Sequence, residues 1–199
     1  MVKFFFDYVL ILIFSPIIII IMIITSTLIA IFMGRPIFYV QERVGLNRKV
    51  FKIIKFRTMN EIKSTDLSYV DTSKDLQRIT VLGKFLRSTS LDELPEIINV
   101  LKRDMSLVGP RPLLKEYLEI YSKRQLQRHN ILPGITGLAQ VRGRNTINWE
   151  KRFNLDLIYI KKHSLFFDLK IIIITLLHIF IRKNMKSKKN MISDKFKKK

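Results

Sequence analysis

Cysteine is missing altogether, so neither a disulfide framework nor a thiolate metal site is open to this chain. Acidic residues are scarce: 16 stand against 36 lysines and arginines, and the formal charge of +20 implies an anionic partner. Nucleic acid, phospholipid headgroups and phosphorylated small molecules all qualify. No nucleic-acid motif is present, however, and the cations are not interleaved with aromatics along one stripe. The three histidines, His129, His163 and His178, are too scattered for a zinc site. No internal repeat and no Gly/Ser-rich linker divides the 199 residues, a length that suits one compact core with an appendage. Hydrophobic residues reach 48%, more than a soluble nucleic-acid binder carries. A membrane surface accounts for the charge and the apolar content together.

From Tyr8 to Gly34 no residue carries a formal charge, and Ile, Leu, Val and Phe dominate. The run is too long for a cleavable signal peptide and lacks a clear cleavage site. As a straight helix it would extend roughly 40 Å, enough to span a bilayer with tilt. Ser15-Pro16 opens a second possibility. Proline removes a backbone donor and favours a kink, while the serine hydroxyl can satisfy the carbonyl so freed. A helix broken there could enter one leaflet and return to the same face. Arg35, Arg43, Arg48, Lys49, Lys52, Lys55 and Arg57 place the downstream end in the cytoplasm. Lys3 and Asp7 are too few to assign the upstream end. Residues 165–181 form a second apolar stretch, interrupted by Asp168 and Lys170, and read as an amphipathic interfacial helix. Residues 183–199 read as a disordered basic tail drawn to anionic lipid.

Between the anchors, Ile37 to Val40 and Val50 to Phe56 read as strands of a β-hairpin about Gly45-Leu46-Asn47. Residues 60–74 read as a loop. Helical patterning is expected over Val81 to Leu86, Leu91 to Leu101, Leu113 to Gln127 and Trp149 to Lys162. The expected fold is α+β, mainly helical, with the membrane-associated helix in residues 1–34 and a catalytic domain in residues 35–182.

Chemistry concentrates around Ser90-Leu91-Asp92-Glu93-Leu94-Pro95-Glu96. Ser90 with Glu93 fits a capping box, and acids suit a helix N-terminus. The same carboxylates could attack phosphorus or bind a hard divalent cation. Lys55 and Arg57 stand one residue apart at a strand end, Arg111 lies between two prolines, and Arg144 follows Gly143. Arginine offers a planar fork matched to phosphate oxygens. The candidate phosphate-binding set is Lys55, Arg57, Arg87, Arg111, Gln140 and Arg144, with Asp92 and Glu93 as catalytic and metal-binding candidates.

Five strings, in this order, resemble the bacterial sugar transferase family: Lys55-Phe56-Arg57-Thr58-Met59, Ser90 to Pro95, Ser106 to Pro112, Pro133-Gly134-Ile135-Thr136-Gly137, and Leu155-Asp156-Leu157 before Tyr159-Ile160. The chain is similar to the small monotopic polyprenyl-phosphate phosphoglycosyl transferases over about residues 3 to 182. The resemblance implies transfer of a phosphosugar from a UDP-sugar to polyprenyl (undecaprenyl) phosphate, releasing UMP, through a covalent intermediate on Asp92. It implies magnesium as cofactor, with Glu93 in metal or acid–base work. It implies a re-entrant helix broken at Ser15-Pro16 and a catalytic domain on the cytoplasmic face of the bacterial inner membrane. The Gly143-Arg144-Asn145 pattern with Trp149 resembles members that act on N-acetylated deoxyamino sugars. Capsule, O-antigen lipopolysaccharide, exopolysaccharide and glycoprotein pathways all begin this way, and the sequence selects none of them. Two other readings compete: a membrane-bound metal-dependent phosphohydrolase, and a non-enzymatic basic protein binding membrane or nucleic acid.

Overall fold

The computed structural model describes residues 2–60, 77–143, 147–181 and 196. The expected loop over residues 61–74, the candidate Arg144 and all of the basic tail except Phe196 lie outside the described residues. The first element is a 32-residue helix, α1 (Val2–Met33), long and apolar enough to cross a membrane. A hairpin of β1 (Phe38–Val44) and β2 (Val50–Phe56) follows, paired antiparallel so that Val44 faces Val50. Asn47 and Arg48 take φ of 51° and 64° in its turn, and asparagine tolerates that left-handed region better than most residues. Then come α2 (Val81–Thr89), a 3₁₀ turn at Leu91–Glu93, and α3 (Glu96–Leu101). The hairpin forms where the sequence expects it, with β2 as expected and β1 running on past Val40 to Val44. The expected single helix over Leu91 to Leu101 is instead split.

A second, parallel two-stranded sheet joins β3 (Ser106–Val108) to β4 (Gly134–Thr136). Here glycine is required by contact. A Cβ on Gly134 would lie 2.0 Å from Gly109 N, and one on Gly137 would lie 2.1 Å from Gly109 O. Between the two strands, the helix expected over Leu113 to Gln127 is replaced by a 3₁₀ segment (Lys115–Ile120) and a short α4 (Lys123–Leu126). Tyr121 is extended at φ −73°, ψ 138°. Ser122 opens a fresh capping box with Gln125, so the chain restarts a helix there instead of continuing one. After β4 come α5 (Leu138–Arg142), α6 (Trp149–Lys162) and α7 (Leu165–Ile181). The last two occupy the residues that the periodicity predicts. Trp149 packs with Tyr117, Phe153 and Phe196.

Helical backbone runs through Ser15-Pro16, so the proline sits inside α1. Ser15 Oγ donates to Leu12 O at 2.8 Å, the carbonyl that an amide at position 16 would have used. Both ends of α1 are fastened to the same body. Near the start, Lys3 pairs with the buried Asp168 of α7, and Ser106 Oγ donates to Asp7 Oδ2 at 2.7 Å. Ile11 packs on Ile53, Val100 and Met105. Near the end, Ile29 packs on Phe56 and Leu86, and Arg57 donates to the carbonyls of Met33, Gly34 and Arg35. Between these fastenings Leu12, Ile13, Ile17, Ile20 and Ile23 are exposed. Such an apolar strip is out of place in water and at home in hydrocarbon.

Candidate functional site

Three short elements converge beside the end of the hairpin. β2 carries Lys55, the 3₁₀ turn after α2 carries Asp92 and Glu93, and the loop after β3 carries Arg111. The turn is entered through Ser90, whose φ of 60° and ψ of 17° close α2 in the left-handed region. That conformation costs a non-glycine residue about 1–2 kcal/mol. It also redirects the chain, so the expected capping box does not form. The Ser90 side chain makes no capping hydrogen bond, and Glu93 turns to the cations instead.

Glu93 is fully engaged. Arg111 reaches it with both terminal nitrogens, at 2.6 Å to Oε1 and 3.3 Å to Oε2, and Lys55 Nζ lies 2.7 Å from Oε1. Burial alone would raise its pKa, but Arg111 and Lys55 outweigh that and hold it well below the carboxylate range. Arg111 is raised in turn, chiefly by Glu93. A third carboxylate, Glu96, is 1% exposed, and its Oε1 lies 3.1 Å from Lys55 Nζ without hydrogen-bond geometry. Burial pushes it up to about 7, with Lys55 opposing and Glu93 adding to the rise.

Asp92 differs from both. Among the described residues it has no hydrogen-bond or ion-pair partner, although the charges of Lys55, Arg87 and Arg111 act on it. Burial, reinforced by the neighbouring Glu93 charge, raises it to about 6 against the pull of those three cations. The arrangement therefore holds one carboxylate locked by cations and, next to it, one carboxylate free to react. Lys55, Arg111, Asp92 and Glu93 come together as the sequence expected.

The other candidates are dispersed. Arg57 is 8% exposed and spends its guanidinium on the carbonyls at the end of α1, where a cation suits the helix C-terminus. Arg87 Nε donates to Thr58 Oγ1 at 2.9 Å, with its charge felt at Asp92. Gln140 lies on α5 beside Gly137, and its buried amide atoms make no hydrogen bond. Ser15 and Pro16 lie within α1 as described above.

Sequence reasoning missed two contributors. Glu96 stood in the quoted string but drew no role, although it falls three residues after Glu93. Arg128 also went unnoticed. It donates to Asp156 Oδ2 at 3.1 and 2.8 Å and to Arg111 O at 2.8 Å, in a pair whose side chains are 2% and 3% exposed. The acid at position 156 between buried Phe153 and Leu157 was the available sign of a buried ion pair.

Among the described residues no three histidine, aspartate or glutamate side chains converge as a metal cage. Magnesium does not need one: it commonly takes one or two carboxylates and completes its shell with water and substrate phosphates. The uncommitted Asp92 carboxylate, beside Glu93, fits that donor pattern.

The family model described as "Bacterial sugar transferase" matches residues 1–182. The chain is 41% identical over 177 residues to an uncharacterized sugar transferase, EpsL, of Bacillus subtilis, covering 89% of this chain and 86% of that protein. It is 44% identical over 157 residues to the UDP-glucose:undecaprenyl-phosphate glucose-1-phosphate transferase of Klebsiella pneumoniae, covering 75% of this chain but only 34% of the relative. It is 40% identical over 157 residues to the exopolysaccharide production protein ExoY of Sinorhizobium fredii, covering 72% and 70%.

Proposed function

The chain belongs to the bacterial sugar transferase family, and from that premise we propose that it moves a phosphosugar from a UDP-sugar to undecaprenyl phosphate at a membrane surface. The observation that carries this reading is the uncommitted Asp92 carboxylate beside the cation-locked Glu93. Relatives named for UDP-glucose:undecaprenyl-phosphate glucose-1-phosphate and undecaprenyl-phosphate galactose phosphotransfer support the substrate classes.

In the first step an Asp92 oxygen bonds to the β-phosphorus of the UDP-sugar. The bond from that phosphorus to the bridging oxygen breaks, and UMP leaves with the electron pair. In the second step an oxygen of undecaprenyl phosphate bonds to the same phosphorus and the aspartyl oxygen departs, restoring the carboxylate and yielding a polyprenyl diphosphosugar. A covalent intermediate divides one meeting of two anions into two separate meetings. Arg111 and Lys55 sit where phosphate oxygens would gather, and Arg87 adds charge from the α2 side. Glu93 holds Arg111 and Lys55 in place, and so fixes both cations before substrate arrives. With Glu93 committed to Arg111 and Lys55, Asp92 is the carboxylate that would hold magnesium, which would offset the charge on the phosphate oxygens.

The two fastenings of α1 support the membrane placement that goes with this reading. With Lys3 and Arg57 both bound within one body, α1 enters and leaves the lipid on one side, as a re-entrant anchor. The dense cations from Arg35 to Arg57 favour the cytoplasmic face of the inner membrane.

The test is UMP release from a panel of UDP-sugars, N-acetylated deoxyamino sugars included, with undecaprenyl phosphate and magnesium. Asp92→Asn should abolish release, and wild-type protein quenched in mid-reaction should carry phosphosugar on Asp92. Near-normal release by Asp92→Asn would defeat the assignment. Water-derived oxygen in the product phosphate, without an adduct, would instead identify a hydrolase.

A further inference from the structure

A groove of about 450 Å³ lies between α5, α6 and α7. Its floor is apolar, built from Leu138, Leu155, Phe167, Ile171 and Ile174 among others. Its charged lining residues are all cations: Arg142, Lys151, Lys162 and Lys170. An apolar slot with a purely cationic edge is complementary to one kind of molecule, an amphiphile with an anionic headgroup.

The position of the slot identifies the source. α7 contributes Phe167, Lys170, Ile171 and Ile174 to it, positions that recur at helical spacing and so share one face. The adjoining face of the same helix exposes Phe166, Leu169, Ile173 and Leu177. Lys170 stands at the border between these two faces, where its stem can lie along apolar surface and its ammonium can reach the headgroup level. The slot thus opens beside the strip of α7 that would lie in the interface. Asp168, two residues before Lys170 on α7, is directed inward to Lys3 and Tyr159 and does not neutralise the edge.

We infer that this groove is a seat for one anionic bilayer phospholipid, its acyl chain along Leu155 and Ile174 and its headgroup phosphate among Arg142, Lys151, Lys162 and Lys170. Polyprenyl phosphate does not suit the seat. Its phosphate must reach the phosphorus on Asp92, and none of Lys55, Arg87, Asp92, Glu93 or Arg111 lines the groove. The inference rests on the membrane placement proposed above and is independent of the covalent chemistry.

The experiment uses the full chain in nanodiscs of phosphatidylcholine containing phosphatidylglycerol with the same acyl chains, and counts the phospholipids retained on release into native mass spectrometry. Wild-type protein should keep one phosphatidylglycerol in preference to phosphatidylcholine. The double variant Lys162→Glu/Lys170→Glu should lower that retention about tenfold or more, and so should Leu155→Trp, which fills the slot while leaving the charges. UMP release from detergent-solubilised protein should survive in the charge variant, which shows that the fold is intact. Glycerol phosphate alone should not compete, because the headgroup lacks the chain. Equal retention of the two phospholipids, or retention unaffected by both variants, would overturn the inference, as would displacement of phosphatidylglycerol by equimolar undecaprenyl phosphate. Asp92→Asn should lose UMP release and keep the phospholipid, so failure of the catalytic reading and failure of the lipid seat give different results.

Discussion

At the scale of single residues, two adjacent acids in one turn are made chemically unequal by what surrounds them. Glu93 has given both oxygens to Arg111 and Lys55, whereas Asp92 has given none. A nucleophilic carboxylate must be ionised. Since Asp92 is raised to about 6, protonation removes the reactive form as pH falls through that value. Single-turnover UMP release without lipid acceptor should therefore drop tenfold per pH unit below about 6 and level off above it. Glu93→Gln should keep the side chain's shape and lose its hold on two cations, lowering the first step by about 100-fold with a smaller change in substrate KM. This unequal pair was only half legible in the sequence. The acids and their neighbouring cations were visible as strings, but the division of labour depends on Ser90, whose left-handed backbone no local pattern announced. Arg57 shows the converse. It looked like a phosphate ligand from its spacing to Lys55, since strand alternation alone would put both on one face; but β2 ends at Phe56, and Arg57 leaves the strand for the end of α1 while Lys55 reaches Glu93.

At the scale of elements, long periodic segments were readable and short ones were not. The hairpin, α6 and α7 have enough residues to express a period, and they lie where the pattern put them. β3 and β4 have three residues each, and their pairing is set by contact at a distance. The glycines at 109, 134 and 137 are the surfaces on which two backbones touch. That contact also carries Arg111, two residues beyond Gly109. Gly134→Ala would put a methyl group 2.0 Å from Gly109 N, against backbone that has little room to yield. It should destabilise the fold by about 3 kcal/mol in chemical denaturation, and the surviving protein should show lower kcat/KM through a displaced Arg111.

At the scale of the whole molecule, α1 is less an appendage than a strap. The sequence showed its apolar length but not its two attachments, because Asp168 and Ser106 lie far along the chain from Lys3 and Asp7. Lys3→Glu would set two anions against each other and release the upstream end. A single cysteine placed at Val2 reports the result cleanly, since no native thiol competes. In spheroplasts, a membrane-impermeant maleimide should leave that cysteine unlabelled in the parent chain and label it in the Lys3→Glu variant.

On the re-entrant placement proposed above, the strap would occupy area in one monolayer and none in the other. Every bound copy would then stretch its own leaflet, and the host bilayer would answer through its spontaneous curvature. At equal lipid composition, the protein should bind small vesicles, whose outer leaflet has packing gaps, more tightly than large flat ones. Flotation across a vesicle-size series measures that preference directly.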